Sequence, residues 1–324
     1  MKNLSSKLKI YRLGITILLL TTYYLIHTTR VSASDFSLGI FPPIIQIQAN
    51  VPTGIKKDIT VVNASESPQD VSIVMKQFTN SPYSNGQVSY LPDNTIPHPD
   101  KDIFSKIQIL DTDAPIDSIT LAPKQKKTLT LRIGLPKDEP AGDYYFSILF
   151  ISHNQVGDTQ NGSVINAGIA TNVLLSIGPK DPTTGFLEEF STKWFYQTGP
   201  IPFTVSIANT SNHFITPTGQ ILIRNMFGQL VGKVDLLPVN ILEQTSRYLP
   251  SKSAANSSYA SWNEKVLFGA YSAHIIVSLS DAGPLFTRTI YFFVMPIQYI
   301  VGFFLAVTLV LIVIERVRHR IKSS

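Results

Sequence analysis

Between residues 44 and 279 apolar and polar positions alternate with a period of two in one short run after another, and nowhere with a sustained helical period. The first runs are IIQIQA (44–49), DITVVN (58–63), VSIVMKQF (71–78), TLTLRIGL (128–135), YYFSILFI (144–151) and IATNVLLSI (169–177). A second series follows in PFTVSIAN (202–209), GQILIRN (219–225), VGKVDL (231–236) and AYSAHIIVSL (270–279). Clusters such as Asn-Ala-Ser and Pro-Asp-Asn lie between them as turns. Strands joined by turns, without helical crossovers, predict an all-β chain of antiparallel sandwiches. The alternation breaks at GPKDPTTG, residues 178–185, which predicts two tandem sandwich domains, at 34–180 and 181–290.

One element occurs in both halves. PAGDYYFSILF (140–150) and FGAYSAHIIVSL (268–279) each place a glycine two residues before a tyrosine that opens a long strand. Alternation puts Tyr144, Phe146, Ile148 and Phe150 on the core face of one, and Tyr271, Ala273, Ile275, Val277 and Leu279 on that of the other. The glycine permits a tight approach to the strand, and the tyrosine packs inward while its hydroxyl reaches a backbone partner. A structural role is expected for both.

Composition suggests a basic protein, with net charge +5, but the charges sit at the ends. Residues 1–33 carry Lys2, Lys7, Lys9, Arg12 and Arg30 with no acid, and Arg316, Arg318, Arg320 and Lys322 crowd the C-terminus against Glu315. The 18 Lys and Arg left over residues 34–290 face 21 Asp and Glu. Nucleic acid is therefore not an expected partner. The N-terminal basic and apolar stretch ending in Val31-Ser32-Ala33 predicts a signal peptide over 1–33, with an uncleaved anchor as the alternative.

The uncharged run that follows Thr289 predicts a transmembrane helix over 291–314 and a basic cytoplasmic tail over 315–324. The expected localisation is the plasma membrane, single-pass, with 34–290 extracytoplasmic. No cysteine occurs, which excludes disulfides, thiolate chemistry and sulfur-ligated metal. The triplets beginning at Asn63, Asn161, Asn209 and Asn256 match glycosylation acceptors, a frequent chance match in turns.

Candidate chemistry is sparse. The proline-rich stretch 78–123 reads as a long irregular region, and Tyr83, Tyr90, His98 and Phe104 are its candidate ligand or partner contacts, or else a loop's own small core. Asp111, Asp113 and Asp117 lack the glycine and distal glutamate of a calcium loop. The exported histidines, His98, His153, His213 and His274, fall in no metal-binding spacing. Adjacent carboxylates at Asp138-Glu139 and Glu188-Glu189 are expected on opposite strand faces. No nucleophile elbow or phosphate loop is present, so a non-enzyme with no cofactor and no metal site is expected.

The stretch ITLAPKQKKTLTLRIGLPKDEPAGDYYFSILF (119–150) resembles the bacterial WxL-interacting surface proteins, through Leu121-Ala-Pro123, Pro136-Lys137-Asp138, Pro140-Ala141-Gly142 and Tyr144-Tyr145. Ser261-Trp262-Asn263 and Gly269-Ala270-Tyr271 extend the likeness more loosely, and a distant bacterial relative with the same plan would look alike. The resemblance implies tandem immunoglobulin-like domains on a C-terminal anchor, the first contacting peptidoglycan and the second a surface protein. The leading expectation is thus a non-catalytic membrane-anchored cell-surface protein binding cell-wall polymer, a partner surface protein, or both. The alternative is an export or assembly chaperone of the paired immunoglobulin-like type, whose relatives are soluble and hold a subunit by strand-edge pairing.

Overall fold

The structure is a computed structural model, and it describes residues 37–322 apart from 82–86, 93–102, 153–166, 256 and 282. The predicted signal segment lies outside the described residues. Among the described residues there are twenty strands, two short 3₁₀ turns and one α-helix.

The first eleven strands are β1 (Leu38–Phe41), β2 (Ile44–Ala49), β3 (Thr53–Asn63), β4 (Gln69–Asn80), β5 (Val88–Tyr90), β6 (Ile107–Asp111), β7 (Ala114–Pro115), β8 (Ser118–Leu121), β9 (Lys126–Leu135), β10 (Gly142–Ser152) and β11 (Gly168–Ile177). They pair in two sheets, β1-β3-β9-β6-β7 and β2-β11-β10-β4-β5, with β8 also on β4. Ile59, Val61, Leu129, Leu131 and Ile133 of one sheet meet Phe146, Ile148, Phe150, Val173 and Leu175 of the other in one core.

The remaining strands are β12 (Gly185–Ser191), β13 (Phe195–Tyr196), β14 (Ile201–Asn209), β15 (Thr218–Asn225), β16 (Leu230–Asp235), β17 (Ser246–Tyr248), β18 (Ala260–Trp262), β19 (Gly269–Ser278) and β20 (Leu285–Val294). They too form two sheets, β12-β14-β17 with β18 on β14, and β13-β20-β19-β15-β16. Phe203, Val205, Ile207, Ile221, Ile223, Ala273, Ile275 and Val277 fill the second core. No sheet among the described residues takes strands from both sides of residues 178–184.

The repeated tyrosine element is core structure in both halves. Gly142 and Gly269 have φ of 131° and 104°, values that a side chain disfavours. The Tyr144 hydroxyl donates to the Pro140 carbonyl at 2.8 Å, and that of Tyr271 to the Phe268 carbonyl at 3.2 Å. A second repeat lies in two of the glycosylation-like triplets. Buried Asn63 donates its side-chain amide to the carbonyls of Ser67, Leu121 and Ala122 while its Oδ1 takes the Ser65 N–H. Buried Asn209 likewise reaches the carbonyls of His213, Ile241 and Leu242 and accepts from the Ser211 N–H. Both amides are fully used and out of reach of a glycosylating enzyme. Leu121 and Tyr144, among the residues that carried the family resemblance, are thus corner and core positions.

Three expectations need correction. Tyr291–Val294 belongs to β20 and pairs with β19 through Tyr271↔Phe292 and Gly269↔Val294, because its alternate residues Phe292 and Val294 complete the second core. The second sandwich therefore runs past residue 290. The helix α1 (Ile297–Lys322) starts after Pro296 and continues through most of the basic tail, whose Glu, Arg and Lys residues favour helix. Finally, the stretch 78–123 is not one irregular loop, since β5 to β8 lie in it, with Ile107, Ile109, Ile119 and Leu121 buried at alternate positions.

Candidate functional site

On β4, β10 and β11 the residues facing the first core alternate with residues on the opposite face of the sheet. Phe78, Tyr145 and Leu174 form an apolar patch on that opposite face. Phe78 stacks on Tyr145 at 6.2 Å between ring centroids, and Tyr145 pairs across the ladder with Leu174. Against this patch the second sandwich places Phe214 and Leu242, closing a third, small apolar cluster between the two domains. Tyr145 meets Phe214 edge-on at 6.5 Å.

The asparagine corner of the second sandwich explains why these residues arrive together. Asn209 holds the carbonyls of His213 and Leu242, so one amide fixes the backbone beside Phe214 and at Leu242 itself. The polar part of the joint centres on Asp143, at the start of β10. Its carboxylate accepts Ser176 Oγ at 2.6 Å, Tyr145 Oη at 2.8 Å and the Phe214 backbone N–H at 2.7 Å. Three donors make this buried carboxylate well satisfied. Burial, then the charges of Asp143 and Glu243, pushes the Tyr145 phenol above its ordinary value, so it stays protonated and keeps donating. Gln46 Nε2 donates to Asn240 Oδ1 at 3.0 Å, and Lys180 lies 4.1 Å from the Phe214 ring centre as a cation over its face.

Two hollows flank the joint. One, of about 260 Å³, is bordered by Thr79, Leu91, Ile103, Tyr144 and Gln244. The other, of about 540 Å³, is a cleft between β2 and the second sandwich, bordered by Gln46, Gln48, Lys180, His213, Thr216 and Asp281. His213 is 5% exposed, with Nε2 3.4 Å from Thr183 Oγ1 and no hydrogen bond to Nδ1 among the described residues. Burial, with help from Lys180, holds the imidazole below its ordinary pKa against the opposing pull of Asp143 and Asp181.

The strand that borders this cleft has an open side. β2 is the last strand of its sheet and pairs in parallel with β11 only. The Asn172 N–H bonds the Pro43 carbonyl and the Gly178 N–H bonds the Ala49 carbonyl. That phase turns the backbone groups of odd-numbered residues toward β11 and those of Ile44, Gln46 and Gln48 away from it. Among the described residues no strand takes up these outward groups. The Ile44 side chain is also exposed.

The residues singled out from sequence do not converge. Tyr83 and His98 lie outside the described residues. Tyr90 sits on β5 opposite Phe78 and is exposed. Phe104 is half-buried against the first core, edge-on to Phe146 at 5.9 Å, because the 3₁₀ turn Phe104–Lys106 lays it there. It packs on the core while staying partly exposed. The nearby Lys106 pairs instead with the buried Glu139, which also accepts from Tyr144.

The adjacent acids on β12 depart from expectation as well. A β-bulge between Leu187 and Glu189 leaves Glu188 and Glu189 both between the inward residues Leu187 and Phe190. Both carboxylates therefore border one shallow cleft, held by Ser206 and Ser191 at 2.7 and 2.6 Å. No group of three or more His, Asp or Glu able to hold a metal occurs among the described residues.

No family model matches the chain, and no curated protein matches it. Solved structures do. The class 5 fimbriae chaperone CfaA is similar at 12% identity over 78% of this chain and 98% of its own, with a TM-score of 0.39. The chaperone DraB of E. coli is similar at 11% identity over 78% and 98%, with a TM-score of 0.34. The complex of the Salmonella enterica SafA pilin with the SafB chaperone matches at 9% identity over 80% and 99%, with a TM-score of 0.35. These neighbours are chaperones. The expectation of a membrane-anchored cell-surface binding protein is corrected by this finding.

Proposed function

We propose that the chain is an extracytoplasmic assembly chaperone of the paired immunoglobulin-like type, tethered to the plasma membrane by α1, and that its partner is an exported surface subunit. The observation that carries this reading is the open side of β2. Six residues of strand present unpaired backbone groups at Ile44, Gln46 and Gln48, beside a cleft between two sandwiches locked by the Asp143 joint. An uncovered edge of this kind is a template for an added strand, and natural proteins normally blunt such edges. An extended segment of a subunit laid along β2 gains main-chain hydrogen bonds from the edge.

The tether is supported by residues 297–316, which are helical and long and apolar enough to cross a bilayer. By the positive-inside bias the arginines that follow favour a cytoplasmic C-terminus, with the sandwiches outside. A membrane-held chaperone would receive subunits as they emerge on the outer side.

The test is a photo-crosslinking residue at Gln48 in the full chain, expressed in cells that make it. An adduct with an exported protein, mapped to an extended segment, is expected. Adducts only with wall fragments, or none at all, would overturn the chaperone reading.

A further inference from the structure

The helix leaves the second sandwich from an end that carries an unusual group of exposed apolar side chains. β20 ends at Val294 and α1 begins at Ile297, so only Met295 and Pro296 lie between them. The pairings Gly269↔Val294, Asn225↔Tyr271 and Arg224↔Leu230 bring the start of β19 and the β15–β16 turn to that same end. Phe227 is 79% exposed at the tip of this turn, beside Met226 and Leu230 at 56% and 54%. Val266 and Phe268, just before β19, are 89% and 64% exposed.

These two segments touch and are firmly held. A side chain on Gly269 would begin 3.2 Å from Met226 Cε. Asn225 Oδ1 accepts the N–H groups of Phe227 and Gln229, and Arg224 closes the turn on the Gly228 carbonyl at 2.9 Å. Thr198 bonds the Lys265 carbonyl at 2.8 Å, tying down the loop before Phe268. Holding bulky apolar groups rigidly toward water costs free energy unless something covers them.

We propose that this end is a membrane-docking foot, with Phe227, Phe268, Val266, Met226 and Leu230 seated in the headgroup layer of the bilayer that α1 crosses. The inference rests on the reading of α1 as a span. Two residues reach at most about 7 Å when extended. A span beginning at Ile297 therefore keeps this end of the sandwich within reach of the lipid surface, where its apolar side chains can seat. Trp194, 76% exposed beside Phe195 and Phe293, extends the rim with a residue suited to that interface. Lys193 and Lys265 add cations for anionic headgroups, against one acid at Glu264.

The opposite end of the same sheet, where Thr218 pairs with Ser278, borders the cleft beside the first sandwich through Thr218, Ser280 and Asp281. The ten residues of β19 separate the two ends by about 33 Å. The foot thus fixes the height at which the second sandwich carries the first above the bilayer.

The absence of cysteine allows a clean test on the full chain in phosphatidylcholine–phosphatidylglycerol vesicles. Lys265→Cys and Asp281→Cys are each labelled with an environment-sensitive fluorophore, and nitroxide is carried on the lipid headgroup region. At least twofold quenching at 265 and none at 281 is expected, and Phe227→Asp with Phe268→Asp should remove half or more of it without loss of flotation. Equal signals at both positions, or an unchanged signal in the double variant, would overturn the docking foot while leaving the span standing. A chain that fails to float with the vesicles, or is stripped by alkaline carbonate, would overturn the span and the foot together.

Discussion

Asp143 in the first sandwich accepts the backbone N–H of Phe214 in the second at 2.7 Å, a carboxylate hydrogen bond that crosses from one domain to the other. Removing it strands three donors at once. Asp143→Ala leaves Ser176 Oγ, Tyr145 Oη and the Phe214 N–H without their acceptor. A loss of about 2–4 kcal/mol is expected, since orphaning one buried polar group costs about 1–3 kcal/mol and three lose their acceptor here. Urea unfolding of the chain in detergent measures it, and a single transition should separate into two as the sandwiches uncouple.

Phe214→Ala tests the apolar half of the joint. Truncating a buried phenylalanine typically costs about 3–5 kcal/mol, less where neighbours collapse into the space. Small-angle scattering should report a broader distribution of distances between the sandwiches. An unchanged profile would mean that Phe214 does not hold them in register.

His213 gives the joint a pH dependence. Its folded pKa lies below the ordinary value near 6.5, first because of burial, so the unfolded chain binds the proton more readily. Its neutral form costs nothing above that pH. As pH falls below about 6.5 the unfolded state gains protons that the folded state refuses, and stability drops. Melting temperature followed from pH 8 to 5 should decline more steeply in the native chain than in His213→Gln.

Asn63→Ala and Asn209→Ala each remove an amide bonded to three buried carbonyls. Both should cost at least about 2 kcal/mol. Only Asn209→Ala should also loosen the joint, because its partners flank Phe214 and include Leu242. Comparing scattering profiles of the two variants separates corner stability from joint stability.

Gln46→Pro should block partner addition with little effect on the fold. It deletes an N–H that points away from β11, and proline is tolerated on the outer side of an edge strand. The Gln48 photo-adduct should disappear while the melting temperature changes by only a few degrees.

Much of this architecture was legible in the sequence wherever one face of a strand is buried and the other is not. Residues 44–49 and 128–135 show it, as does the run Tyr144, Phe146, Ile148 and Phe150. Elements without that contrast escaped. β20 reads LFTRTIYFFV, in which apolar residues occupy both faces near its end, so its last residues read as part of the predicted transmembrane helix. β12 escaped because its bulge breaks the period and sends Glu188 and Glu189 the same way. The joint could not be read at all. Asp143 and Phe214 are 71 residues apart, and Tyr145 and Leu174 look like ordinary outward positions until a second domain covers them.

The twin asparagine corners also guard fidelity of assembly. Asn63 binds carbonyls 58 and 59 residues away, and Asn209 binds ones 32 and 33 away, so neither amide can be satisfied before distant strands have met in the right alignment. A slip of one residue in either sandwich would reverse the faces of a whole strand and leave the amide stranded in an apolar interior. Each corner therefore acts as a proofreader, penalising misaligned strands in a chain that has no covalent crosslink to hold the correct arrangement while it forms.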